Sequence, residues 1–188
     1  MAKVKFTPTV LQVRGRVGNW VYRKSHDACA ISVLPDITDK GLSPAQAAVR
    51  TQFHSAVDYA KTALADPVLE TRYRDAAKLQ DVPVFAYILG EFFSPPTVSA
   101  VDPSGYHGQV GDTIVVRADA RFEVAEVQVT IRSAANAVLE QGPAALVNAA
   151  WHYPAKTAVA AGTAVTIEVV AKDHPGHTGT MNAPYVIA

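Results

Sequence analysis

The chain has 188 residues, 49% hydrophobic and 18% charged, which is enough apolar material for a core and too little charge for a disordered chain. Seventeen basic residues balance 17 acidic ones, so a formal net charge of zero excludes a globally basic polyanion binder and leaves self-association unopposed by net repulsion. The single cysteine, Cys29, excludes an intramolecular disulfide, and in the apolar run Ala28-Cys29-Ala30-Ile31 it is expected as a small core residue.

Residues 1–40 read as extended. Lys3-Val4-Lys5-Phe6 alternates polar and apolar, and Val10, Leu11 and Val13 lead to Gly15 and Gly18. Trp20, Val21 and Tyr22 precede a turn at Ser25-His26-Asp27, and Ala28–Leu34 is a second β-prone run, which together make a hairpin pattern. A ribbon of two or three strands is marginal alone, so it needs cover from the helices, from the rest of the chain or from another subunit. The charge is uneven: residues 1–42 carry seven basic and three acidic groups, residues 43–95 five and six, and residues 96–188 five and eight. That gradient suggests a basic head meeting an acidic tail on a neighbouring copy.

Residues 43–93 read as helical. Ser43-Pro44-Ala45-Gln46 is a helix start, with Ser as cap, Pro in the first turn and Gln three residues after the cap. Val49, Phe53, Ala56, Val57, Ala60 and Leu64 then recur as an amphipathic stripe. Asp66-Pro67 opens a second helix with Leu69, Tyr73, Ala76 and Ala77 on one face and a solvated side bearing Arg72, Arg74, Asp75 and Lys78. Asp81-Val82-Pro83 opens a third, with Phe85, Ile88, Leu89 and Phe92, and Ser94-Pro95-Pro96 ends it.

Residues 97–188 read as β. The expected strands are 97–101, 113–118, 125–132, 138–141, 148–153, 164–171 and 183–187. Turn residues separate them at 102–105, 110–112, 142–143, 161–162 and 174–176. Val127-Gln128-Val129-Thr130-Ile131 and Val165-Thr166-Ile167-Glu168-Val169 alternate, one face buried and one wet. Seven short strands at this spacing imply a sandwich, with Trp151 as a candidate core aromatic. The fold class expected is α+β: an N-terminal β-ribbon plus a small helical unit at 1–95, then an antiparallel Ig-like β-sandwich at 96–188.

The segments 111–119 (Gly-Asp-Thr-Ile-Val-Val-Arg-Ala-Asp), 124–129 and 169–178 resemble bacterial immunoglobulin-like or fibronectin-like modules, with His177 standing where their late turn usually has Asn. Gly15, Gly18, Val21 and Tyr22, followed by Pro44 and Gln46, resemble phage-related bacterial structural proteins of unknown function. That second resemblance implies a structural or mobile-element protein.

Motifs for chemistry are sparse. His174-Pro175-Gly176-His177 offers two ligands where structural zinc wants four, so it reads as a polar turn. Asp102, Asp112, Asp119 and Asp173 are too scattered for a calcium loop and read as caps and turn-makers. Gly15-Arg16-Val17-Gly18 lacks the second half of a phosphate loop, and no Gly-x-Ser-x-Gly elbow exists. Arg14, Arg16, Arg23 and Lys24 interleave with Trp20 and Tyr22 in a way that can hold single strands, but a charge-blunted edge ribbon is the plainer reading, so nucleic acid is not expected as a partner.

The expectation is therefore a non-enzymatic structural subunit, without cofactor or metal, that self-assembles as a filament, tail-like tube or capsid-associated layer. Its partners would be copies of itself and other structural proteins. The assembly residues expected are Val4, Phe6, Val10, Leu11, Val13, Trp20 and Tyr22, with strand 2–13 adding to an exposed sheet edge of the next copy. The alternatives are a monomeric Ig-like binding module for a glycan or protein partner and, third, an enzyme. No apolar run suits a leader or a membrane span, which places the chain in the cytoplasm by default, or in a virion or extracellular assembly released by another route.

Overall fold

The computed structural model describes residues 2–4, 14–25, 28–34 and 41–188, and the chain divides into two compact units, 1–47 and 48–188. Among the described residues there are three helices and twelve strands, and all the strand pairing is antiparallel.

The first unit is a four-stranded sheet of β1 (Ala2–Val4), β2 (Gly15–Val17), β3 (Trp20–Ser25) and β4 (Ala28–Val33), in the order β1-β4-β3-β2. The expected ribbon of two or three strands is thus a sheet of four. Ala2, Lys3 and Val4 pair with Ile31, Ala30 and Cys29, so the amino-terminal segment closes on β4 of its own chain. Gly18, at φ 57°, makes the tight β2–β3 turn that a side chain with a Cβ would strain. The Arg16 Nε donates to the Gly18 carbonyl at 2.8 Å across that turn. The burial expected of Cys29 concerns a side chain outside the described residues.

The second unit joins helices to a sandwich. Helix α1 (Pro44–Ala65), whose first turn belongs to the first unit, opens with a reciprocal cap: the Ser43 N–H donates to Gln46 Oε1 at 2.9 Å and the Gln46 N–H to Ser43 Oγ at 3.3 Å. Asp66 caps α2 (Pro67–Leu79), its carboxylate accepting from the Val68 and Leu69 N–H groups. Pro83 precedes α3 (Val84–Phe92) and makes no side-chain cap. Their shared core is Ala60, Ala63, Tyr73, Ala77, Tyr87 and Ile88.

The sandwich follows as β5 (Thr97–Asp102), β6 (Thr113–Asp119), β7 (Val124–Ser133), β8 (Val138–Pro143), β9 (Ala145–Val147), β10 (Ala150–Pro154), β11 (Ala164–Asp173) and β12 (Thr178–Val186). They form two sheets, β5-β6-β10-β9 and β12-β11-β7-β8. Alternate residues face inward, so Ile114, Val116, Val127, Val129, Ile131, Val165, Ile167 and Val169 fill the core with Trp151 and Tyr153.

Two differences from the sequence reading have local causes. The expected strand 148–153 begins at Ala150 as β10, because Asn148 and Ala149 both take positive φ, 49° and 64°, and turn the chain from β9, a strand the sequence reading lacked. The last strand begins at Thr178 rather than at 183. There the small Gly179 lets β12 lie close to Pro96, whose carbonyl oxygen sits 2.0 Å from where a Cβ would stand. No helix among the described residues is long and apolar enough to cross a membrane.

Candidate functional site

The register of the first sheet places its exposed apolar residues in a line. Val17 pairs with Trp20, and Trp20 pairs with Val33, so the three lie side by side on one face. They are 66%, 52% and 59% exposed. The next row on that face holds Tyr22 opposite Ile31, both half-buried. The charged residues Arg16 and Arg23 alternate to the other face, which also carries Val21, Ser32 and Ala30. One side of the sheet therefore carries an apolar row of cross-strand pairs, three of whose side chains are more than half exposed.

Of the assembly residues read from the sequence, the structure brings Trp20 and Tyr22 together on this face. Val4 lies in β1, its backbone opposite Cys29. Phe6, Val10, Leu11 and Val13 lie outside the described residues. Val17 and Val33 were missed. Each is a lone valine in sequence, and only the register sets them beside Trp20.

A second cluster lies where the helices meet the sandwich within the second unit. Phe122, just ahead of β7, stacks on Tyr73 of α2 with ring centroids 4.2 Å apart and meets the edge of Tyr87 of α3. The Tyr87 hydroxyl donates to the Arg121 carbonyl at 3.0 Å, and the Arg121 guanidinium lies over the Tyr87 ring. Arg72, expected on a solvated face, instead reaches Glu123 in an ion pair and lies over Phe122. Its neighbour Arg74 keeps to its own helix, paired with Glu70 at 2.7 Å.

Behind these rings Glu91 of α3 is fully buried, and neither of its carboxyl oxygens has a hydrogen-bond partner. Burial pushes its pKa up to about 7, an effect that the neighbouring Tyr73 hydroxyl lessens and the Asp173 carboxylate adds to. Tyr73 instead shares a 2.8 Å hydrogen bond with Tyr59. Burial raises both phenols, that of Tyr59 to about 12. Asp173, also buried, accepts from the His177 N–H at 2.6 Å and faces its ring Nδ1 at 3.3 Å, and the His177 ring stands edge-on to Phe92. His174 parts from His177 and lies 3.7 Å from Glu123, its pKa lowered by burial and by Arg72. Glu91 has no exposed surface, and the cluster forms a seam between the helices and the sandwich.

The four aspartates weighed for calcium are each engaged locally. Asp102 accepts from the Ser104 N–H, Asp112 from those of His107 and Gln109, Asp119 from the Ser99 hydroxyl and Asp173 from His177. Among the described residues no three His, Cys, Asp or Glu side chains converge as metal ligands. A shallow groove of about 240 Å³ at one end of the sandwich is lined by Asp119, Phe122, Glu123, Leu146 and Trp151, among others.

The chain matches no protein-family model. It matches no curated protein. Among solved structures it is similar to CopC from Methylosinus trichosporium OB3b, at 14% identity and a TM-score of 0.37, over 48% of this chain and 91% of that one. It is also similar to a conjugative transposon lipoprotein from Bacteroides eggerthii, at 14% identity and a TM-score of 0.23, over 48% of this chain and 93% of that one.

Proposed function

We propose that this chain is a non-enzymatic structural subunit that assembles with copies of itself through its N-terminal sheet. The observation that carries the reading is the uncovered row Val17–Trp20–Val33 on a sheet that forms a compact unit of its own. Three large apolar side chains in one cross-strand row, each more than half exposed, mark a surface meant for cover rather than for water. Completing their burial contributes on the order of 1 kcal/mol each. That sum falls short of the several kcal/mol that association costs, so an assembly must also bury Tyr22, Ile31 and a matching apolar surface on the partner.

Strand addition is the other route by which the sheet can join copies. In one chain β1 occupies the edge of β4 with Ala2 opposite Ile31, and the same register serves when the β1 of a second copy takes that place. The sandwich acts as the body of the subunit. Its sheet orders, read as A-B-E-D and G-F-C-C′, support an immunoglobulin-like assignment.

The test is sedimentation and electron microscopy of the full chain beside a variant lacking residues 1–14 and a variant Trp20→Asp. Polymers or oligomers from the parent that are lost in Trp20→Asp support the reading, and their additional loss on deletion assigns a part to β1. A parent that sediments as a single 20.0 kDa species at every concentration overturns it.

A second reading, a binding module for a glycan or protein partner, is favoured by the sandwich-end groove, where Trp151 and Phe122 stand beside Asp119 and Glu123. Saturable binding on a glycan array that Trp151→Ala abolishes, from a monomeric parent, supports it over assembly.

A further inference from the structure

The sheet face requires a reciprocal surface, and the chain carries one. Every residue from 44 to 55, the first three turns of α1, is exposed, although the helix there has an apolar stripe. Val49 and Phe53, one turn apart, are 65% and 48% exposed. The Phe53 ring stacks on Phe93, itself exposed, with centroids 6.5 Å apart and planes 15° apart. Val49 and Phe53 thus turn the start of the helix's apolar stripe to water.

Charge decides what that partner is. Residues 1–47 hold seven basic and three acidic groups, a net of +4, and residues 48–188 hold ten and fourteen, a net of −4. Two sheets meeting face to face would bring +4 against +4. A sheet meeting the second unit of another copy brings +4 against −4, of which the helices to residue 95 carry −1 and the sandwich −3. Of the charges on the sheet's described strands, Arg16 and Arg23 alternate to the face away from the apolar row while Lys24 follows Tyr22 on the same face, and the exposed helix half carries one charge, Arg50. The contact is thus centred on the row Val17–Trp20–Val33, and the attraction acts between the units as a whole.

We propose that assembly is head-to-tail: the Val17–Trp20–Val33 face of one copy seats on the Val49–Phe53–Phe93 stripe of α1 and the α3 end in the next. This rests on the reading above and names its partner surface. A contact between two different patches repeats without using itself up, so it builds rings or open filaments rather than closed pairs.

Complementation tests it. Trp20→Asp spoils one patch and Phe53→Asp the other, and both residues are about half exposed, so far-UV circular dichroism matching the parent is expected; Trp20→Ser and Phe53→Ser serve where it does not match. Head-to-tail contact predicts that each variant alone sediments as a monomer, while the equimolar mixture forms a species of two chains through the one intact interface and grows no further. Raising the salt concentration weakens assembly of the parent. Should Phe53→Asp assemble like the parent while Trp20→Asp does not, or should salt strengthen assembly, the helix is not the partner and this inference falls while the sheet reading stands. Should Trp20→Asp assemble like the parent, both fall.

Discussion

Glu91→Gln tests the seam between helices and sandwich. A carboxyl that ordinarily titrates at 4.5 is held in the fold at about 7, chiefly by burial. Below the lower value both folded and unfolded chains keep the proton, and nothing is lost. Between the two the unfolded chain gives it up while the folded chain retains it. The folded state then binds more protons, so stability falls as pH rises, and above about pH 7 the full loss is present. That displacement corresponds to on the order of 3 kcal/mol. The groups facing Glu91 are Tyr59 of α1, Tyr73 of α2, Tyr87 of α3 itself, Arg121 and, on β11, Asp173. Of these Tyr73, through its hydroxyl, and Arg121 favour the ionised form, and burial outweighs both. Glutamine cannot ionise, and seating its extra donor costs about 1 kcal/mol. The variant is therefore expected to be about 2 kcal/mol more stable than the parent near pH 8.5, roughly 6 °C in melting temperature for a chain of this size, and no more stable than the parent near pH 4.5. Thermal unfolding followed by circular dichroism across that range measures it. Parallel melting curves for parent and variant at every pH would refute the reasoning, because they would mean that Glu91 reaches water in the fold.

Two backbone positions give further expectations. Ala149 holds φ 64° in the β9–β10 turn, a conformation that strains any residue with a Cβ, so Ala149→Gly should stabilise the fold by about 1 kcal/mol. A urea midpoint that rises with unchanged slope agrees, and one that falls contradicts the turn. At Gly179 an added Cβ meets the Pro96 carbonyl oxygen, so Gly179→Ala should cost about 2 kcal/mol or more by parting β12 from the chain entering β5, and unchanged stability in the same titration would refute that close approach.

How far the sequence was legible depends on whether a residue's role is set by its neighbours in the chain. The α1 start was readable because Ser43 and Gln46 satisfy each other across three residues. Strands β7 and β11 were readable because Val127, Val129 and Ile131, and Val165, Ile167 and Val169, repeat with the period of a half-buried strand. The β9–β10 turn was not, because Asn148-Ala149 lacks the glycine that usually announces such a turn. The exposed row needed the pairing of β2 with β3 and of β3 with β4 before Val17 and Val33 could be set beside Trp20. Glu91 resembled any solvent-side carboxylate of a short helix, since what buries it arrives from Tyr73, 18 residues earlier, and Asp173, 82 residues later. The first half of the α1 stripe was visible, but nothing in Val49 and Phe53 foretold that they would stay uncovered while Ala56 and Ala60 were buried.

The chain has two tryptophans, and they fall one to each compact unit. Trp20 stands half in water on the sheet, whereas Trp151 is only 9% exposed within the sandwich. Their emission therefore differs in colour and in susceptibility to a dissolved quencher. The red, quenchable component follows whatever happens at the amino-terminal surface, while the blue, shielded one follows the body, so light from the unlabelled protein separates an event on the one from the melting of the other.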